Sequence, residues 1–209
     1  MSATQKLVNS LRGLLQRYGG ESINRHIWNH QYGQGRWQCL ETAVGDCVYP
    51  HVEKHASNGS ILDLGCGPGA VGNELNAAAY NSYTGIDICD MAIEKAKRRT
   101  AENHRTDKND YLRSDMFTYV PKQQYDVILF GDSMSYFPHR RIVEMLRRYC
   151  RYLKPGGVIV VRNWVQRRRQ QTAVRNIEKN FEVLEKGFYH ESELVVLVFR
   201  LRSAESPRQ

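Results

Sequence analysis

The stretch Ile61-Leu62-Asp63-Leu64-Gly65-Cys66-Gly67-Pro68-Gly69-Ala70-Val71-Gly72 constrains the fold more than any other part of the chain. An apolar run meets an acid, glycines follow at alternate positions, and helix-forming residues come next. Strand, glycine loop and helix in that order are how an open α/β sheet brings backbone close to a nucleotide-like ligand. Glycine permits positive φ there and keeps Cβ out of the way. Asp63, inside the strand end, repels a pyrophosphate and attracts an ammonium or sulfonium group.

The same alternation continues downstream. Residues 60–64 read as a strand and 70–79 as its helix, then 83–88 as a second strand. Asp90 is placed to cap a helix through Ile93, Ala96 and Thr100. A third strand lies within 109–117, and 125–130 is a nearly pure apolar run, as a buried parallel strand requires. Pro138 opens a helix whose stripe is Ile142, Leu146, Tyr149 and Leu153. Residues 154–157 form a turn, 158–161 begin a fifth strand, and a helix through Val174 and Ile177 follows. Two final strands, near 181–184 and 193–201, lack a full helix between them and are expected to pair antiparallel. Strand-helix alternation implies a parallel sheet with right-handed crossovers. Upstream, Leu7, Leu11, Leu14, Leu15 and Tyr18 recur at helical spacing, and Gly19-Gly20 ends that helix. Residues 22–37 are polar and aromatic, Leu40, Val44 and Val48 suggest a further helix, and Pro50 fits the first turn of another.

A chain of 209 residues with 41% hydrophobic content forms one domain with a core. Residues 1–58 are expected to be a helical lid, 59–202 the core and 203–209 a tail. Five cysteines, odd in number and without a C-x-x-C pair, favour free thiols in a reducing, cytoplasmic setting. The apolar runs 158–161 and 194–199 are too short to cross a bilayer, so no membrane partner is expected. No secretory leader is evident. The net charge of +8 comes from clusters that read as solvated helix faces. Aromatic residues do not interleave them as a single-strand platform needs, which argues against nucleic acid. The oligomeric state is not legible.

Ligands of an open α/β sheet sit outside the carboxyl ends of its strands. Acids recur there: Asp63, Asp87, Asp115 and Asp132. Asp87 lies at the distance from Gly65 at which an acid accepts both ribose hydroxyls. The set Asp63-x-Gly65-x-Gly67-x-Gly69, Asp87, Ser114-Asp115-Met116, Tyr125-Asp126-Val127-Ile128 and Leu153-Lys154-Pro155-Gly156-Gly157 resembles the class I S-adenosylmethionine-dependent methyltransferases from about residue 60 to 200. The resemblance implies a Rossmann-like α/β fold, a seven-stranded mostly parallel sheet with helices on both faces and its last strand antiparallel. It implies S-adenosyl-L-methionine as cofactor. Gly65, Cys66 and Gly67 would pack against the methionine part, and Asp63 would bind its ammonium directly or through water. Asp87 would hold the ribose, and Ile88 would lie on the adenine face. Asp115 and Met116 would meet the adenine edge, and Gly131 and Asp132 would line the methyl end. The segment Trp28-x-x-x-Tyr32-x-x-Gly35-x-Trp37 resembles a lid, with Tyr32 against the cofactor.

Methyl transfer from a sulfonium is an in-line displacement that needs alignment and exclusion of water, with a base only when the nucleophile must lose a proton. His139, with Tyr136 beside it, is the first candidate base, and His30 the second. The pairs His26/His30 and His51/His55 have helical metal-ligand spacing but lack an H-E-x-x-H context, so no metal is expected. Residues 131–136 do not carry the Asn/Asp-Pro-Pro-aromatic motif that DNA-amino methyltransferases usually have there. The paired-glutamate loop of protein arginine methyltransferases is also not evident. A small organic methyl acceptor under the N-terminal helices is the simplest reading. An RNA or protein acceptor, or a scaffold that binds cofactor without turnover, are the alternatives.

Overall fold

The computed structural model describes residues 3–37, 45–136, 139–166, 168–189 and 193–202. The expected helix residues Leu40 and Val44, the helix-opening Pro138 and the tail 203–209 lie outside that set. Three helices come first: α1 (Ala3–Tyr18), α2 (Glu21–Gly33) and α3 (Tyr49–Ala56). The alternating part follows as β1 (Gly59–Leu64), α4 (Ala70–Glu74), β2 (Tyr80–Asp87), α5 (Asp90–Glu102), β3 (Asn109–Arg113), β4 (Tyr125–Gly131), α6 (His139–Cys150), β5 (Leu153–Trp164) and α7 (Arg168–Asn180). The chain closes with β6 (Glu182–Tyr189) and β7 (Leu194–Arg200).

The strands form one sheet in the order β3-β2-β1-β4-β5-β7-β6. The first five are mutually parallel, and β7 runs antiparallel to both β5 and β6. Chain order reverses between β1 and β4, and the glycine loop lies at that switch point. Because successive strand residues face opposite sides, the core divides in two. Leu62, Leu64, Ile128, Phe130, Ile159 and Val161 meet α6 and α7 through Ile142, Leu146, Tyr149 and Ile177. Ile61, Val127, Leu129, Val158 and Val160 meet α3 and α5 through Val52, Ala56, Ile93 and Ala96. Each fully buried Val, Leu, Ile or Phe among them contributes about 1.5–3 kcal/mol of transfer free energy.

Four local expectations change. The helix expected over 70–79 stops at Glu74, where Leu75 turns extended and the Asn76 side chain accepts the Ala78 N–H; β2 therefore begins at Tyr80. Asp90 does not cap α5. Cys89 holds the cap position without a side-chain bond, and Asp90 instead accepts from Arg25 at 2.6 Å and Asn29 at 2.7 Å on α2. The turn expected at 154–157 is an irregularity inside β5, since Tyr125 pairs with Leu153 but Val127 with Val158. Residues 22–37, read only as polar and aromatic, carry all of α2 but its first residue.

His51 and His55 are engaged with an acid. Both bond Glu185 on β6, at 2.7 and 2.9 Å, and Lys54 reaches the same carboxylate at 2.5 Å. Lys54 and the two imidazoles hold Glu185 down to about 2, against the opposing effect of burial. Among the described residues Cys47, Cys66, Cys89 and Cys150 are free thiols. No described helix is long and apolar enough to cross a membrane.

Candidate cofactor and acceptor site

A cleft opens at the carboxyl ends of β1 to β4. Its floor is Gly65 and Gly67 after β1, Asp87 and Ile88 at β2, Asp115 to Phe117 after β3, and Gly131 to Ser133 after β4. Its roof is Gln16 of α1, Asn24, Trp28 and Tyr32 of α2, and Trp37.

The glycines are required by geometry at two points. Gly65 has φ +85°, and a Cβ there would lie 2.8 Å from the Ser133 Cβ. Gly67 has φ +53°, and its Cβ would come within 3.1 Å of the Tyr32 hydroxyl. The loop thus presents bare backbone to the cavity, between β4 and the roof.

A buried polar lattice holds this loop from below. Asn73 donates to the Gly69 carbonyl at 2.8 Å and the Tyr111 hydroxyl at 3.2 Å, and accepts from Thr100 at 3.2 Å. Tyr80 and Asn109 both donate to the Gly72 carbonyl, at 3.0 and 2.7 Å. The rings of Tyr80, Tyr83 and Tyr111 stack in tilted succession, 6.2 and 5.7 Å apart.

Of the acids expected at the rim, Asp87, Asp115 and Asp132 line the cavity. Asp87 accepts the Gly67 N–H at 3.0 Å and the Cys89 N–H at 2.9 Å, one on each oxygen. A carboxylate has about four acceptor sites, so capacity for further donors remains. Asp115 accepts the Phe117 N–H at 2.8 Å. Burial pushes both carboxyls above the ordinary range, against the pull of those backbone bonds. Asp132 has left-handed backbone at φ +57° and contacts Arg162 of β5, which also contacts Asp46. Burial pushes Asp132 up to about 7, and a side-chain hydrogen bond with Trp164 opposes that rise. An acidic rim with raised carboxyls gains most from a ligand that brings positive charge.

Asp63 departs from its expected place. It is 1% exposed and does not line the cavity. Strand alternation turns it onto the α5 face of the sheet, where the Tyr83 hydroxyl donates to it at 2.5 Å. Its Oδ1 has no hydrogen-bond partner among the described residues, and neither has the Ser133 Oγ at the cavity. Burial pushes Asp63 up to about 7. Cys66 is also buried behind the loop rather than in the cavity, and burial raises its thiol far above the usual range.

Tyr32, Ile88, Met116 and Gly131 line the cavity as expected of cofactor contacts. His30 does not. Asn24, Trp28 and Tyr32 recur every four residues on the inner face of α2, whereas His30 is exposed and bonds Gln34 at 3.0 Å. The side chains of Tyr136 and His139 lie outside the described set, although the backbone places His139 at the start of α6, shortly after β4. Sequence reasoning missed Gln16, Asn24, Phe117, Ser133 and the Arg162 bridge. The spacing of Asn24, Trp28 and Tyr32 was the available signal for the roof. Trp28 and Trp37 pack at 5.6 Å, and Trp37 donates to Gln31 at 3.1 Å.

Comparison with known proteins agrees with this geometry. The family described as "Methyltransferase domain" matches residues 61–157. A ubiquinone biosynthesis O-methyltransferase of Rickettsia canadensis is 25% identical over 144 residues, 68% of this chain and 59% of the relative. The 27-O-demethylrifamycin SV methyltransferase of Amycolatopsis mediterranei is 26% identical over 145 residues, 69% of this chain and 52% of the relative. The chain therefore spans less than two thirds of the length of these curated relatives. Among solved structures, magnesium protoporphyrin IX methyltransferase from Synechocystis with bound SAM superposes with TM-score 0.66 at 16% identity, covering 86% of this chain and 96% of that one. At that identity the superposition speaks for the fold.

Proposed function

We propose that the chain, whose residues 61–157 match the methyltransferase domain family, is a class I S-adenosylmethionine-dependent methyltransferase that transfers a methyl group to an O, N or C nucleophile of a small organic molecule. The observation that carries this reading is one cavity joining a bare glycine loop, three acids and an aromatic roof. S-adenosylmethionine, when bound, supplies an electrophilic methyl on a sulfonium, with an ammonium nearby. The residues present suit it. Asp87 accepts the ribose hydroxyls, and Asp115 takes the adenine amino group. Asp132 faces the cationic end, with the unpartnered Asp63 oxygen behind the loop. Gly65 and Gly67 leave room for the chain between them.

Trp28, Tyr32 and Trp37 exclude water and hold the acceptor in line, the alignment that well-oriented reactions exploit for about 7–11 kcal/mol at most. His139 is the proposed base for acceptors that lose a proton, and Tyr136 is its neighbour. The setting proposed is cytoplasmic, supported by the free thiols. The relatives named for ubiquinone and rifamycin chemistry support a small acceptor. The net charge of +8 favours RNA as the second reading.

Calorimetric titration tests the binding reading. Asp87→Ala should weaken S-adenosylmethionine about 10–100-fold, the value of lost charge-assisted hydrogen bonds. Unchanged affinity removes Asp87 from the site. His139→Ala should slow transfer about 10²-fold or more at unaltered cofactor affinity. Wild-type turnover rules it out as base. Incubating extracts with cofactor and following the mass gain of one methylene identifies the acceptor, and a ribosomal or messenger RNA product would replace the small-molecule reading.

A further inference from the structure

Helix α1 is turned inside out. A helix packed on a protein core buries its apolar stripe and exposes its polar face. Here Leu11 is 58% exposed, Leu14 48%, Leu15 40% and Tyr18 71%, and Ile23 at the start of α2 adds 46%. The half-buried side of the same helix carries Arg12, Gly13 and Gln16, and Gln16 reaches the cavity. The polar face is thus committed to the site, and the apolar stripe faces away from the rest of the described chain. Contiguous exposed apolar surface of this kind marks an interaction face.

Charge selects the occupant. The sequence of α1, ATQKLVNSLRGLLQRY, contains Lys6, Arg12 and Arg17 and no acid. The whole chain carries +8. A second copy would bring the same basic helix and the same excess charge against this face, so self-pairing is opposed. An anionic lipid surface accepts both halves of the pattern: apolar side chains enter the acyl boundary while basic ones lie among the headgroups. The interaction requires no spanning segment.

We propose that α1 is a peripheral anchor that docks its Leu11, Leu14, Leu15 and Tyr18 face onto an anionic lipid surface. Docked so, the helix keeps its Gln16 side on the cavity. The anchor stands apart from methyl transfer, because it is read without cofactor or acceptor.

Flotation of the full chain with vesicles tests it. Recovery with phosphatidylcholine–phosphatidylglycerol vesicles should exceed that with phosphatidylcholine alone by about tenfold, and fall with added salt. The double variant Leu14→Ser/Leu15→Ser, with its circular dichroism unchanged, should lose about tenfold or more of that recovery. Leu184→Ser, at another exposed apolar residue on β6, should leave it unaltered. Absence of recovery with anionic vesicles, equal recovery of the double variant, or equal loss in Leu184→Ser overturns the proposal. So does light scattering that shows a dimer dissolved by the double variant, which would make a second copy the occupant.

Discussion

The glycine loop and the two N-terminal helices face each other across one cavity, yet different physics holds them. The loop rests on a lattice of buried tyrosine, asparagine and threonine side chains, closed by hydrogen bonds to the Gly69 and Gly72 carbonyls. The helices are attached by surface charges, Arg25 with Asp90 and Arg113 with Glu21, and by one small aromatic cluster of Trp28, Tyr32 and Trp37. The floor is over-determined; the roof has few buried apolar contacts. A site that must admit and release ligands draws its moving part from the less stable end of the molecule.

Three perturbations test that contrast, from the largest effect to the smallest. The first is acidity in the floor. Asp63 is raised from the ordinary carboxyl range to about 7 by burial. The folded state therefore favours its neutral form. The contribution of this group to stability is fully present below about pH 4 and is lost as pH rises through about 7, by an amount on the order of 4 kcal/mol. Asp63→Asn should flatten that slope in urea denaturation at pH 4, 6 and 8 and outlast wild type at pH 8. A slope retained in the variant would assign it to another group.

The second breaks the lattice. Asn73→Ala removes the side-chain bonds to the Gly69 carbonyl, the Tyr111 hydroxyl and Thr100, with an expected loss of about 2–3 kcal/mol. That corresponds to about 4–12 °C in Tm. A Tm within error of wild type would show that the loop is held by other means. The third loosens the roof. Arg25→Ala opens a largely exposed pair, so Tm should not move. Amide exchange should nevertheless quicken across α1 and α2 while β1 and β2 stay protected. Equal exchange in all four elements would erase the distinction between floor and roof.

The floor was also the more legible half. Its strands are apolar runs punctuated by glycine and acid, a local signal that needs no knowledge of distant residues. The roof reads poorly because α2 mixes Arg25, His26, Asn29 and His30 with its tryptophan and tyrosine. Its inner stripe emerges only once Asn24, Trp28 and Tyr32 are aligned at helical spacing. Asp90 looked like a cap because an acid before a helix usually is one; Arg25 and Asn29 claimed it from far away in the chain. The same non-local pairing hid Arg162, whose partners Asp46 and Asp132 share no local pattern with it. Asp63 reads in the sequence as a ligand of the cofactor's ammonium, but strand alternation turns its side chain to the buried face, against Tyr83.

The clamp on Glu185 has a consequence for the sheet as a whole. An open sheet ends in two unpaired rims that invite strand addition from another molecule. One rim, β3, is only five residues long and carries Asp110 and Arg113. The other, β6, sets Glu182, Glu185 and Lys186 along its length and is pinned through Glu185 to α3. Short length at one margin and fixed charge at the other discourage edge-to-edge aggregation, and they leave the helical surfaces as the place where this molecule meets others.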